Sequence, residues 1–221
     1  MSKILIVAHA GSMGTDDDSL ESVKKGIELE ADVIELDIRF DSSNVPILSH
    51  DKPSSGKKCE TVYDAALLIN DAPNIQINAD MKEKESIEGL VALKEIFERF
   101  NFKDRMYFSG INRCESELLQ KTFPGYKFFT DWNINIFKRS SDAYLESIVD
   151  KAKGMGFTGF NLHYRFVTKK MVDFFHQRDM KIYTWTVEKE ADMKRLARWG
   201  VDSITTRNPP LLQKVLNERC D

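Results

Sequence analysis

The 221-residue chain is poor in cysteine, has no long hydrophobic run and carries no excess of positive charge. Its three cysteines, Cys59, Cys114 and Cys220, are odd in number and far apart, which fits neither a disulfide framework nor a metal-knuckle spacing. Free thiols in a reducing compartment are the expectation. No apolar run approaches the roughly 18 residues a bilayer-spanning helix needs. The 32 Lys and Arg stand against 35 Asp and Glu, a net charge of −3, whereas a nucleic-acid binder is expected to carry a basic excess. The opening string MSKILIVAHAG lacks the longer apolar region and small-residue cleavage site of a secretory signal. It reads as a first buried strand of a cytoplasmic protein. No low-complexity tract or Pro/Gly/Ser-rich linker divides the chain, so residues 1–221 read as one domain.

What is present is a steady alternation of two patterns. Short β-branched or aromatic runs begin near residues 3, 32, 74, 105, 126, 159, 181 and 203, and each is followed by a helical or connecting stretch. Leu20, Val23 and Ile27 repeat at helical period, after three aspartates that would cap and charge the helix start. A second amphipathic helix carries Ile87, Leu90, Val91, Leu93, Ile96 and Phe97, and a third ends at Gly200, as a left-handed cap requires. Strand–helix alternation throughout implies a parallel sheet wrapped by helices. Eight units in a chain of this length fit a closed (β/α)8 barrel with short loops; a doubly wound open sheet is the competing arrangement. VPILSH, from Val45, is an extra extended segment, and HDKPSSGKKCE is a loop.

In a barrel the chemistry collects at the C-terminal ends of the strands. His9 ends the first, Glu35 and Asp37 lie on the second, His50 and Asp51 end the extended segment behind it, and Asp80 and Lys82 end the third. Residues two apart on a strand share a face. Two carboxylates side by side in a barrel repel unless a cation neutralises them, and Asp80 adds a third hard oxygen ligand suited to Mg2+ or Ca2+. Paired histidines supply a general acid and a general base, and Lys82 a point charge for a phosphate oxygen. Singly these are ordinary features: a strand carboxylate pair, a turn dipeptide, an Asp–Lys salt bridge. Their coincidence at neighbouring strand ends points to phosphoryl chemistry.

The order His-x-Gly, S-L-E-S, I-E-L-D, H-D and acid-x-Lys, closed by YTWTVEKEADMKRLARWGVDSITTRNP, resembles the glycerophosphodiester phosphodiesterase family of phosphatidylinositol-specific phospholipase C-like TIM-barrel phosphodiesterases. The likeness runs from His9 to Pro209. It implies a divalent-metal-dependent hydrolase of glycerol and lipid metabolism, releasing glycerol 3-phosphate and an alcohol from a small glycerophosphodiester. The metal would be Mg2+ or Ca2+, with Mn2+ a further candidate. The resemblance places Glu35, Asp37 and Asp80 as metal ligands, with aspartate where the family usually has glutamate, His9 and His50 as the catalytic pair, and Lys82 on the phosphate. The family arginine after the first histidine is here Ala10, and the polar Glu-Asn-Thr cluster after the first strand is Asp17-Asp18-Ser19. Arg165 and Arg207, near later strand ends, are the candidate replacements for the missing cation. Trp185 is expected to wall the mouth, with Trp132, Asn133, Asn161 and His163 beside it. Short loops favour a small soluble substrate, without stable membrane insertion or nucleic-acid partners. The resemblance also leaves open a sphingomyelinase D- or lysophospholipase D-like activity, or a barrel that binds phosphate ligands without hydrolysis.

Overall fold

The computed structural model describes residues 3–54, 58–82, 86–111 and 116–218. Cys114 and Cys220 lie outside these, and Cys59 is a free thiol. Eight parallel strands form the barrel: β1 (Leu5–Ala8), β2 (Val33–Phe40), β4 (Gln76–Met81), β5 (Met106–Ile111), β6 (Lys127–Thr130), β7 (Gly159–His163), β8 (Lys181–Trp185) and β9 (Ser203–Thr206). β1 pairs with both β2 and β9, which closes the sheet and excludes the open alternative. A ninth strand, β3 (Pro46–Leu48), folds back antiparallel on β2, pairing Ile38 with Leu48. The turn between them is held by Asp41, whose Oδ1 accepts from the Ser43 and Val45 amides at 2.8 and 2.9 Å.

Each barrel strand is followed by a helix on the outside, from α1 (Leu20–Glu28) to α8 (Pro209–Asn217). Outward-facing strand residues meet these helices. Ile34, Leu36 and Ile38 of β2, Phe108 of β5 and Phe128 of β6 are buried in this layer. There Phe97 from α3 (Ile87–Arg99) packs on Phe108, ring centroids 6.1 Å apart. The helix expected to bury Ile87 and Val91 leaves both exposed, while Leu90, Leu93 and Phe97 carry its core face. α7 (Glu190–Trp199) ends on Gly200 in the left-handed region, as expected.

The other strand face points into the barrel, and period 2 sorts it into two storeys. The lower storey is apolar: Val7, Val33, Tyr107 and Phe129 form a buried cluster with Tyr183 packed on it, and the Phe129 and Tyr183 rings stack at 4.0 Å. Gly159 passes close to this plug; a Cβ there would lie 2.8 Å from the Phe129 ring and 2.4 Å from the Lys181 carbonyl oxygen. Two residues further along the same faces stand His9, Glu35, Ser109, Asp131, Asn161, Trp185 and Thr205. A polar storey therefore sits on an apolar floor. Its chemistry follows from strand parity alone.

Candidate active site

Glu35, Asp37 and Asp80 converge, with one carboxylate oxygen from each lying within 4.8 Å of the others. The β2–β4 ladder sets this directly, because Asp37 and Asp80 are register partners. All three are buried. Burial, then the neighbouring Asp37 and Asp80 carboxylates, push the Glu35 carboxyl well above its ordinary range. Asp37 is pushed up to about 7, chiefly by burial, with Lys82 acting against the rise and Asp80 adding to it. Lys82 Nζ bridges Asp80 at 2.6 Å and Asp37 at 3.1 Å. Burial alone would lower its ammonium pKa; those two carboxylates outweigh it and hold the group above its usual value. The salt bridge and the site are thus the same object.

One lysine cannot balance three buried acids. Glu35 Oε2 is buried without a hydrogen-bond partner, a costly state for a carboxylate oxygen. An all-oxygen donor set with one orphaned atom fits a hard divalent cation. The Ser109 hydroxyl stands between two acceptors, Asn78 Oδ1 at 2.8 Å and Asp80 Oδ1 at 3.2 Å, and shares its one proton with them. Gly110, at φ +74, lets the chain pass so close that a Cβ would fall 2.2 Å from the same Asp80 oxygen.

Both histidines line one cleft of about 570 Å3, together with Asp17, Asp37 and Arg207. His9 Nδ1 lies 2.5 Å from the Ala10 carbonyl oxygen. A carbonyl only accepts, so the proton is on Nδ1 and the Nε2 lone pair is free. Burial lowers the His9 pKa, the Ala10 hydrogen bond partly opposes this, and Arg207 and Lys82 add to the lowering. His50 is carried on the hairpin: the Ser49 amide donates to the Asp37 carbonyl at 2.9 Å, and the His50 amide to Asp18 Oδ2 at 2.7 Å. Its Nδ1 lies 3.0 Å from Asp51 Oδ1.

The two arginine candidates separate. Arg207 lines the cleft, contacting Asp17 through Nη1 at 2.5 Å and Nη2 at 3.4 Å. Its Nη1 lies 2.5 Å from where a Gly11 Cβ would be, so a guanidinium from β9 occupies the space beside His9-Ala10-Gly11. Arg165 does not line this cleft. β7 ends at His163, and a single 3-10 turn, Tyr164–Phe166, redirects Arg165 toward the Tyr164 hydroxyl, 3.2 Å from its Nε. The aspartates expected to cap α1 are spent differently too: Ser19 is the cap, accepting from the Ser22 amide, while Asp17 and Asp18 hold Arg207 and His50.

Trp185 stands in the polar storey with its ring 5.3 Å from His163, and its indole Nε1 is buried without a partner. Trp132 is not at the mouth. Phe129 points inward, so Trp132, three residues on, faces the helix layer and packs on Phe160; Asn133 is exposed. The inward residue is Asp131, which sequence reasoning passed over although strand parity singles it out. It accepts from Asn161 Nδ2 at 3.0 Å, and burial, then the Asp80 charge, push its carboxyl up to about 8.

Comparison with known proteins finds relatives and the same fold. The chain is 23% identical over 249 residues to a glycerophosphodiester phosphodiesterase of Caldanaerobacter subterraneus, covering 95% of this chain and 96% of the relative. It is 25% identical over 260 residues to one from Bacillus subtilis, covering 96% and 86%. Among solved structures, an Oleispira antarctica phosphodiesterase in complex with the product sn-glycerol-3-phosphate superposes with a TM-score of 0.81 at 16% identity, over 96% of each chain. The model of the glycerophosphoryl diester phosphodiesterase family matches residues 9–109 and 65–211. Those two stretches together reach from the first histidine into the last helix, and the chain belongs to that family.

Proposed function

We propose that this chain hydrolyses glycerophosphodiesters to glycerol 3-phosphate and an alcohol by histidine acid–base catalysis at a divalent-metal site, with residues 1–221 acting as one catalytic domain. The observation that carries the reading is three buried acids converging on one point beside a cleft walled by two histidines. Product capture by the Oleispira antarctica protein on the same fold supports the substrate class. A cytoplasmic setting belongs to the same reading, supported by the free thiol of Cys59.

Glu35, Asp37 and Asp80 would hold Mg2+, Ca2+ or Mn2+, and such an ion supplies Lewis-acid neutralisation of charge at the phosphate. The remaining work falls to side chains. Lys82 and Arg207 flank the acids and the cleft, and bind phosphate oxygens; Arg207 takes the place of the arginine that Ala10 lacks, exchanging Asp17 for the substrate. His9, neutral and with Nε2 free, removes the proton from the attacking hydroxyl as its oxygen bonds to phosphorus. His50, with Nδ1 toward Asp51, faces the leaving side and gives a proton to the alkoxide as the P–O bond breaks. The attacking hydroxyl is water, or the substrate's own 2-hydroxyl with the advantage of proximity. Trp185, inward on β8, walls the same polar storey as His9 and packs on His163.

The test is a head-group screen that reads out glycerol 3-phosphate in Mg2+, Mn2+ and Ca2+, with and without EDTA. Release of glycerol 3-phosphate that EDTA abolishes and a divalent ion restores is expected. Absence of turnover for every glycerophosphodiester, with metal bound, would overturn the reading.

A further inference from the structure

The loop from β6 to α5 (Asp142–Gly154) opens on the same face as the cleft and exposes two adjoining apolar side chains, Ile136 at 47% and Phe137 at 91%. This exposure is built in. The Phe137 amide donates to Asn135 Oδ1 at 3.0 Å, and the Asn135 amide to the Tyr144 hydroxyl at 2.9 Å. Arg139 then ties the loop to its neighbour, donating to the carbonyls of Arg165 and Phe166 at 3.3 and 3.2 Å. Phe166 is itself 40% exposed, and its ring lies 5.5 Å from His163, which packs on Trp185. Two exposed apolar groups, Ile136–Phe137 and Phe166, thus sit on neighbouring loops joined by Arg139, and Phe166 leads through His163 to Trp185 in the barrel mouth.

Positive charge surrounds these groups. Lys169, Lys170 and Arg195 are paired with Asp173, Asp142 and Asp192. Among the described residues, Lys138, Arg139, Arg165 and Lys189 have no carboxylate within 4.0 Å. Arg139, Arg165, Lys189 and Arg195 line a cleft of about 410 Å3 next to these groups. In a chain of net charge −3, this is a local reversal of sign. The exposed apolar groups sit on loops and do not line the adjacent cleft, an arrangement that suits a fluid surface better than a preformed protein groove. Aromatic side chains at headgroup depth with Lys and Arg on the phosphates are the pattern of interfacial binding.

We propose that the rim formed by the β6–α5 and β7–α6 loops is a peripheral docking face for an anionic lipid bilayer, α6 being Lys169–His176. Docking turns the barrel mouth toward the lipid. Resting on the phosphodiesterase reading, it widens the substrate class from small soluble diesters to amphiphilic glycerophosphodiesters held in the bilayer. The attachment adds no membrane span, since no helix among the described residues is long and apolar enough to cross one.

The experiment is co-sedimentation of the full chain with sucrose-loaded vesicles of phosphatidylcholine, alone or with phosphatidylglycerol, at low and high salt. Binding to the anionic vesicles that falls with salt is expected. Phe137→Ser should weaken it by about tenfold, and Lys138→Gln by about fivefold. Both positions are exposed, so circular dichroism should be unchanged. His9→Ala should bind like the parent, and vesicle binding without turnover of any diester would support docking while overturning only the phosphodiesterase reading. The proposal is overturned if the parent chain ignores anionic vesicles at low salt, if it binds neutral vesicles equally, if Phe137→Ser binds as well as the parent, or if light scattering shows Phe137-dependent self-association in place of vesicle binding.

Discussion

His9 and His50 reach the same cleft from different supports, and their replacement should separate chemistry from assembly. His9→Ala or His50→Ala should each lower kcat by about 10²–10⁴-fold while the metal content measured by elemental analysis is unchanged. Glu35→Gln should do the reverse at the first step, lowering divalent-ion affinity in calorimetry, because it removes one of three buried ligands. Asp131 gives a different signature. Its carboxyl is pushed up to about 8, so above that pH the metal-free protein must hold another buried negative charge. Asp131→Asn should raise the melting temperature over the parent at pH 9, where about 1 kcal/mol is worth roughly 2–4 °C in a chain of this size, and change it little at pH 5. At this scale the positions of Glu35, Asp37, Asp80, Lys82 and the two histidines were legible because each lies on a strand or just beyond its end, where period 2 guides direction. Arg165 was not, since a 3-10 turn intervenes, and Trp132 was read one position off the inward phase that Asp131 occupies.

The strands themselves were legible to within two residues of their starts, because parallel strands covered on both faces are near-continuous apolar runs. Helix boundaries were less so. Three aspartates before α1 look like caps, yet Ser19 caps the helix while Asp17 and Asp18 bond across the site, a long-range choice that local propensity does not encode. β3 was visible as an extended segment, but its antiparallel return onto β2 depends on the Asp41 turn. At the end of β5, Gly110→Ala should impair the site more than the fold. Its added Cβ meets Asp80 Oδ1 and the Met81 backbone of β4, so the end of that strand must shift with the ligand it carries, and the positive φ adds strain of about 1 kcal/mol or more. The expected result is weaker metal binding at near-parental helix content, measured by calorimetry and circular dichroism on one sample.

For the whole molecule, the acid cluster couples stability to pH and to metal. Unfolded carboxyls titrate near pH 4, whereas in the fold Asp37 titrates at about 7, Asp131 at about 8 and Glu35 well above its ordinary range. At these three sites the folded chain holds more protons than the unfolded one between those values, so the stability they contribute is complete below about pH 4 and is lost as pH rises through 7 to 8. In EDTA the melting temperature should fall from pH 5 to pH 9. Saturating Mg2+ should flatten or invert that slope, because binding to the folded state alone adds stability. A flat profile in EDTA would mean that the acids are compensated from within the protein.

The apolar floor of Val7, Val33, Tyr107, Phe129 and Tyr183 has a consequence for traffic. It makes the barrel blind-ended, so whatever enters must leave by the opening it came through. On the proposed reaction, glycerol 3-phosphate leaves by the doorway the next diester must use, and product inhibition competitive with the diester is the expected outcome in steady-state kinetics.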